Sequence, residues 1–346
     1  MAISVDTLLK DAVAAKASDL HLAVGYAPTV RVDGELVPLK GAVLTAKDVE
    51  EAALSMISAP EKAKFVKERE LDFAYSVSGA GRFRVNLFWE KGLVGLVARV
   101  IPATLPSMEE LGMPEVMYNL ARLDQGLILM TGPTGHGKST SLAAMIELIN
   151  IERACNIVTL EDPVEFIFTP KKSMIIQREL GSDMLSFSEG LKHVLRQDPN
   201  VIMVGEMRDL ETIGTAITVA ETGHLVLATL HTFSAAQAVD RIIDTFPSHQ
   251  QDQVRMQISM TLRGVVSQRL LPKVGGGRVA AREIMMATPA VGSLIRDNKV
   301  AQLRTAIETG KAEGMQPLDR DIARLVKEGV VAPDVAKRYM TNPETL

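Results

Sequence analysis

The chain carries a single cysteine, Cys155, among its 346 residues. One thiol excludes an internal disulfide and any zinc site built from several cysteines. Cys155 reads instead as a small buried apolar side chain near the start of a strand. Aromatic residues make up only 4% of the chain and the net charge is −4. Neither a base-stacking surface nor a positive field for DNA or anionic lipid follows from that composition, so nucleic acid is not an expected partner. Apolar runs fall short of the roughly eighteen residues that suggest a bilayer span, and Met1–Thr7 lacks the basic and apolar regions of a secretory leader. These features predict a cytoplasmic protein that meets a membrane only through partners.

What is present is a sharp motif. Gly132-Pro-Thr-Gly-His-Gly-Lys-Ser139, followed by Thr140, fits G-x-x-x-x-G-K-[ST]. An apolar run of strand type, Gly126–Thr131, precedes it, and a helix-forming run, Ser141–Ile149, follows. Glycines in such a loop let successive N–H groups curve around an anion, and the helix N-terminus adds its dipole. Lys138 is placed to reach the β- and γ-phosphates and Ser139 to hold Mg²⁺. ATP with Mg²⁺ is the expected cofactor, bound by Gly132, Pro133, Thr134, Gly135, His136, Gly137, Lys138, Ser139 and Thr140. His136 stands at a variable loop position, and the motif gives it no chemistry of its own.

Residues 1–101 read as a mixed α/β unit. A helix is expected over Thr7–Lys16, strands over 20–24 and 29–37 with Asp33-Gly34 as a turn, and one helix over Thr45–Val66. Three further strands are expected at 73–77, 81–88 and 93–101. Pro102 and Pro106 break the pattern, so 102–113 is the expected linker. From 114 to 286 strands alternate with helices as in a parallel nucleotide-binding sheet, with strands at 126–131, 156–161, 201–205 and 225–230 and more sheet at 265–271 and 280–285. Residues 287–346 read as helical.

Other residues bear on phosphate chemistry. Val201–Val204 ends in Gly205-Glu206, and Glu206 suits the acid that a P-loop ATPase uses to hold Mg²⁺, although Gly205 occupies the usual aspartate place. A second strand ends in Glu161-Asp-Pro-Val-Glu165; Asp162 and Glu165 are candidates to activate water, while Glu161 suits a structural role. His224 and His231 bound an apolar strand, about 23 Å apart by strand rise, which excludes a shared metal. One of them suits a γ-phosphate sensor or coupling element. His21, His193 and His249 read as surface or structural. Arg82, Arg84, Arg99, Arg196 and Arg208 are candidates to neutralise transferred phosphate, each also readable as a strand or interface arginine.

Taken in order, Ser18–Leu22, Arg31–Gly34, Gly81–Asn86, Gly132–Thr140, Glu161–Glu165, Gln177–Glu179, Val204–Thr212, Ala220–His224, Thr229–Thr232 and Gly275–Ala281 resemble the type IV pilus retraction ATPases, the PilT/PilU branch of the secretion ATPase superfamily. The resemblance covers nearly the whole chain. It implies a homohexamer in which each subunit has a PAS-like N-terminal α+β domain and a RecA-like P-loop ATPase domain with a helical C-terminal region. It implies ATP bound between the two domains, Glu165 as catalytic glutamate, Glu206 as the Walker B acid, a histidine box from His224 to His231, and Arg84 and Arg99 reaching over the nucleotide. The partner it implies is an inner-membrane pilus platform protein, with a paralogous retraction ATPase as a further partner, and the work it implies is pilin disassembly in twitching motility.

Extension motors of the superfamily carry a longer N-terminal region and a four-cysteine module, so the one cysteine and the roughly 100 residues before the linker favour the retraction side. Two departures stand out. His136 replaces a small residue of the family's loop, and Gly292-Ser293 replaces an Arg-Asn pair. Other readings of the same residues are an accessory PilU-like motor, a low-turnover nucleotide-binding ring scaffold, or a secretion or conjugation ATPase.

Overall fold

The computed structural model describes residues 4–32, 34–101 and 104–346. Asp33 of the expected turn and residues 102–103 of the expected linker lie outside the described residues. The chain divides into two compact units: 1–104 with 163–167, and 105–162 with 168–346.

In the first unit the order is α1 (Val5–Ala14), β1 (Asp19–Leu22), β2 (Thr29–Val32), β3 (Glu35–Pro38), α2 (Ala46–Ser55), α3 (Ala59–Glu68), β4 (Glu70–Val77), β5 (Gly81–Glu90) and β6 (Leu93–Ile101). The strands form one antiparallel sheet in the order β3-β2-β1-β6-β5-β4. Alternate residues of β5, Phe83, Val85 and Leu87, are fully buried with Leu9, Leu20, Phe65 and Leu96, as expected of a sheet with one face on a core. The single helix expected over 45–66 is two. Pro60 cannot supply a backbone N–H to a continuing helix, and Glu61 accepts from the Ser58 N–H and hydroxyl at 2.7 and 2.6 Å, which starts α3 afresh.

The second unit runs α4 (Glu115–Ala121), β7 (Gly126–Thr131), α5 (Lys138–Glu152), β8 (Asn156–Glu161), β9 (Met174–Glu179), α6 (Phe187–Val194), β10 (Val201–Val204), α7 (Leu210–Glu221), β11 (Leu225–Leu230), α8 (Ala235–Asp244), α9 (Ser248–Thr261), β12 (Leu262–Pro272), β13 (Arg278–Met286), α10 (Pro289–Arg296), α11 (Leu303–Thr309), α12 (Leu318–Lys327) and α13 (Pro333–Lys337). Its sheet has the order β13-β12-β7-β11-β10-β8-β9, parallel except for β13 at one edge. Every residue of β7, β8, β10 and β11 is buried, the signature of parallel strands covered on both faces. At the C-terminal end, Leu318, Ile322 and Leu325 of α12 present an i, i+4, i+7 stripe to Leu271 and Ala281. Residues 105–113 of the expected linker belong to this unit. Met108 and Met113 are buried in it, and the Arg282 guanidinium donates to the carbonyls of Leu111 and Gly112. No helix among the described residues is long and apolar enough to cross a membrane.

Candidate functional site

Ligand sites in open parallel sheets form beyond the carboxyl ends of the strands. Here three neighbouring strands deliver the candidate groups to that edge. β7 leads into the glycine-rich loop, β11 ends before His231, and β10 ends before Gly205-Glu206.

The loop's backbone requires its glycines. Gly132 has φ of 140° and Gly137, which caps α5, has φ of 77°, conformations that side-chain-bearing residues rarely adopt. α5 begins at Lys138, whose side chain is buried. Its ammonium donates to the carbonyls of Gly132 at 2.7 Å and Pro133 at 3.0 Å. It also lies 3.3 Å from Nδ1 of His231. An ammonium has only donors, so Nδ1 accepts and the His231 proton sits on Nε2, which meets Glu206 Oε1 at 2.8 Å. Thr134 Oγ1 approaches the same Nδ1 at 3.4 Å.

Glu206 is aimed at this imidazole by its local backbone. Gly205 N–H donates to Leu160, the Gly205 carbonyl accepts from the Thr229 hydroxyl, and Met207 N–H donates to Thr229. The turn is thereby stitched to β8 on one side and β11 on the other. A Cβ at Gly205 would lie 3.0 Å from the Leu160 carbonyl oxygen, which accounts for glycine where an aspartate is usual. Arg208 grips the Glu206 carboxylate with two donors, at 2.5 and 2.6 Å. Burial pushes Glu206 up, but Arg208 and His231 outweigh it and hold the carboxyl below its ordinary value. The carboxylate therefore stays charged at neutral pH.

The sequence singled out two histidines flanking β11, and the structure separates them. His231 joins Lys138 and Glu206, whereas His224 Nδ1 faces Thr222 Oγ1 at 3.1 Å and the Val219 carbonyl at 3.2 Å at the end of α7. Glu161 is buried and accepts from Thr159 and Gln177 at 2.7 and 3.1 Å, a structural carboxylate. Ser139 follows Lys138 in the first turn of α5 and is exposed, so its hydroxyl fits a hard cation held with phosphate oxygens. Among the described residues, no group of three His, Cys, Asp or Glu could hold a metal without such help.

Glu165, Arg84 and Arg99 belong to the first unit. Glu165 lies in the 163–167 segment, which groups with that unit, and Arg82 Nε donates to the Val164 carbonyl at 3.0 Å. Arg84 approaches Asp72 at 4.0 Å. Arg99 donates to Asp19 at 2.9 Å, its own side chain remaining 70% exposed.

Sequence reasoning missed Gln268 and Arg282. Gln268 is buried on β12, where its amide oxygen accepts from Ser141 Oγ and Arg282 Nε and its amide nitrogen donates to the His136 carbonyl. The available signal was a glutamine in the middle of a strand, between the apolar pairs Val265-Val266 and Leu270-Leu271.

A strand, a glycine-rich loop and a helix at the end of a parallel sheet, with an acid on a neighbouring strand, place the chain in the class of α/β proteins built around a phosphate-binding loop. Residues 1–313 match the family model described as type II/IV secretion system protein. The type IV pilus retraction ATPase PilT of Pseudomonas aeruginosa is 47% identical over 328 residues, 95% of each chain. PilU, a type IV pilus ATPase of the same organism, is 40% identical over 342 residues, 99% of this chain and 90% of that one. A crystal structure of the pilus retraction motor PilT with bound ADP superposes with a TM-score of 0.92 at 43% identity, covering 99% of both chains. The chain belongs to the type II/IV secretion system protein family.

Proposed function

We propose that the chain is an ATP-hydrolysing hexameric motor that powers type IV pilus retraction. The observation that carries this reading is the Lys138–His231–Glu206 chain of contacts beside the phosphate-binding loop. Near-full-length likeness to a retraction ATPase, and to a retraction motor crystallised with ADP, supports it. In this reading the first unit is PAS-like and the second RecA-like, and the loop from Gly132 to Thr140 cradles the triphosphate.

Each residue then has a task. Lys138 turns its ammonium toward the β- and γ-phosphates, and the backbone N–H groups of the loop neutralise their oxygens. Ser139 and Glu206 would hold Mg²⁺, which supplies charge neutralisation on the phosphates when bound. Glu165 orients the attacking water and accepts its proton. Arg84 and Arg99 stabilise charge that spreads over the transferring phosphoryl group. His231, bonded to both Lys138 and Glu206, reports whether a γ-phosphate is in place. Hydrolysis and release shift one unit against the other, and an inner-membrane platform protein receives the movement. A paralogue of the PilU kind is a natural companion motor, and the chain works at the cytoplasmic face of that machine.

The experiment pairs chemistry with work. Purified full-length protein should hydrolyse ATP, Lys138→Ala and Glu206→Ala should abolish turnover, and cells carrying either variant alone should keep their pili extended. Full ATPase activity in either variant would remove these site assignments. An active enzyme whose loss leaves retraction intact in cells without a paralogue would remove the motor assignment.

A further inference from the structure

The phosphate-binding loop has a second neighbour besides the Lys138–His231–Glu206 group. β12 runs parallel to β7, and their pairing ends at Ser267 opposite Thr131. β12 then continues past the end of β7 to Pro272, alongside the loop. Its next residue, Gln268, comes so close that a Cβ on Gly132 would lie 2.3 Å from the Gln268 backbone oxygen.

The Gln268 side chain is only 1% exposed, and its three polar contacts leave it one orientation. Its amide oxygen accepts from Ser141 Oγ at 2.9 Å and from Arg282 Nε at 3.0 Å. The amide nitrogen donates to the His136 carbonyl at 2.8 Å. A flipped amide would set donors against donors on one side and an oxygen against a carbonyl on the other. Arg282, itself 2% exposed, is anchored by Leu111 and Gly112 and cannot drift away from Gln268.

Two residues further on, Leu270 has an N–H beyond the last pairing with β7, and the His136 imidazole takes the acceptor's place: Leu270 N–H donates to Nδ1 at 3.0 Å. A backbone donor at Nδ1 fixes the ring proton on Nε2. The surroundings keep that acceptor free of a second proton. Burial first, then the cations Lys138, Arg269 and Arg278, hold His136 below its ordinary value.

We infer that Gln268 and His136 form a two-point latch fixing the crest of the phosphate-binding loop to β12, and that both are positioning residues for the nucleotide. The latch rests on the nucleotide-binding reading given above. A loop with glycines at 132, 135 and 137 loses much backbone freedom when it wraps an anion. Bonds that hold its crest in place beforehand reduce that loss and so raise affinity without touching the reacting atoms. A side chain without an acceptor at this position would lack the second point, so His136 holds the loop more firmly.

Three variants of the full-length protein test the latch: His136→Ala, His136→Asn and Gln268→Glu. His136→Ala should weaken binding of a fluorescent ADP analogue and raise KM for ATP on the order of five- to ten-fold, the worth of about one hydrogen bond. Its kcat should stay within about two-fold, because no group that acts in the transition state is removed. His136→Asn, whose amide oxygen can take the Nδ1 position, should recover most of the loss. Gln268→Glu keeps acceptors for Ser141 and Arg282, so it should fold, but it sets an oxygen against the His136 carbonyl and should shift KM in the same direction. Hydrogen exchange at Leu270, measured without nucleotide, should quicken at least about five-fold in His136→Ala and return toward wild type in His136→Asn. Unchanged KM together with unchanged Leu270 exchange in His136→Ala overturns the latch, as does an Asn variant no better than Ala. Failure of the wild-type protein to bind the ADP analogue overturns the nucleotide reading instead, and the exchange result still decides the latch.

Discussion

Glu206 takes its proton-bearing neighbour from a different strand: His231 Nε2 stands 2.8 Å from Glu206 Oε1, at the ends of β11 and β10. The same imidazole faces the Lys138 ammonium across the ring. One side chain therefore touches both the lysine proposed to bind phosphate and the acid proposed to hold Mg²⁺.

The two histidines that flank β11 should behave differently when removed. His231→Ala breaks both contacts and should lower kcat about 10²-fold, the scale for losing a positioned electrostatic or proton-transfer group. His224→Ala removes contacts at the end of α7 only and should leave kcat within about two-fold. Steady-state ATPase rates compare them; equal losses would erase the distinction.

Glu165→Gln should separate binding from chemistry. The amide keeps the shape of the side chain but cannot accept the proton of the attacking water, so turnover should fall by about 10²-fold or more. ATP affinity, measured by equilibrium binding, should stay near wild type. Fast hydrolysis by this variant would hand the base role to another acid, with Asp162 next in line.

Gly132→Ala tests the closeness of the loop to β12. Its Cβ would meet the Gln268 backbone oxygen at 2.3 Å, and its φ of 140° is strained for alanine. Backbone cannot move aside as a side-chain tip can. The substitution should cost at least about 2 kcal/mol in thermal or denaturant unfolding. It should also abolish ADP binding. Gly135→Ala, which meets nothing within 4 Å, should bear only the backbone strain and lose less.

Asp19 gives the first unit an acid-sensitive tie. It is buried, and although burial pushes its pKa up, hydrogen bonds from Ser18 and Arg99 prevail and hold the carboxyl below its ordinary value. A depressed carboxylate contributes stability above its unfolded pKa and loses that contribution as pH falls through the folded one. Asp19→Asn should therefore destabilise the protein at pH 7 by about 1 kcal/mol. The gap from wild type should close as the pH drops below about 4. Denaturation midpoints across pH read both limbs; a gap that persists in acid would mean that the charge is not what Asp19 contributes.

Much of the fold was legible because parallel strands buried on both faces are nearly unbroken apolar runs. β7, β8 and β11 lie where their sequences predict. β9 escaped because Met174–Glu179 is an edge strand with a half-exposed, mixed composition. The break between α2 and α3 was written in Ser58, Pro60 and Glu61, but the apolar spacing ran across it. Among the site residues, Lys138, Glu206 and His231 announced themselves through motif and position at strand ends. Gln268 did not, because its role depends on β12 lying beside β7, and that pairing joins residues far apart in the chain. The separate duties of His224 and His231 likewise needed the neighbouring strand order.

The chain passes between its two units at 104/105, 162/163 and 167/168. The units are therefore not beads on a string, and this bears on how the protein can be cut or recombined. A fragment ending at residue 104 would lack the 163–167 segment, whose Val164 carbonyl Arg82 engages. A fragment beginning at 105 would carry that segment, with Glu165, stripped of its native companions. Swapping residues 1–104 alone among related motors would likewise exchange Arg82 and leave Val164 behind. Viable chimaeras should carry the five-residue excursion along with the first hundred residues, so that inheritance of the two units is coupled through residues 163–167.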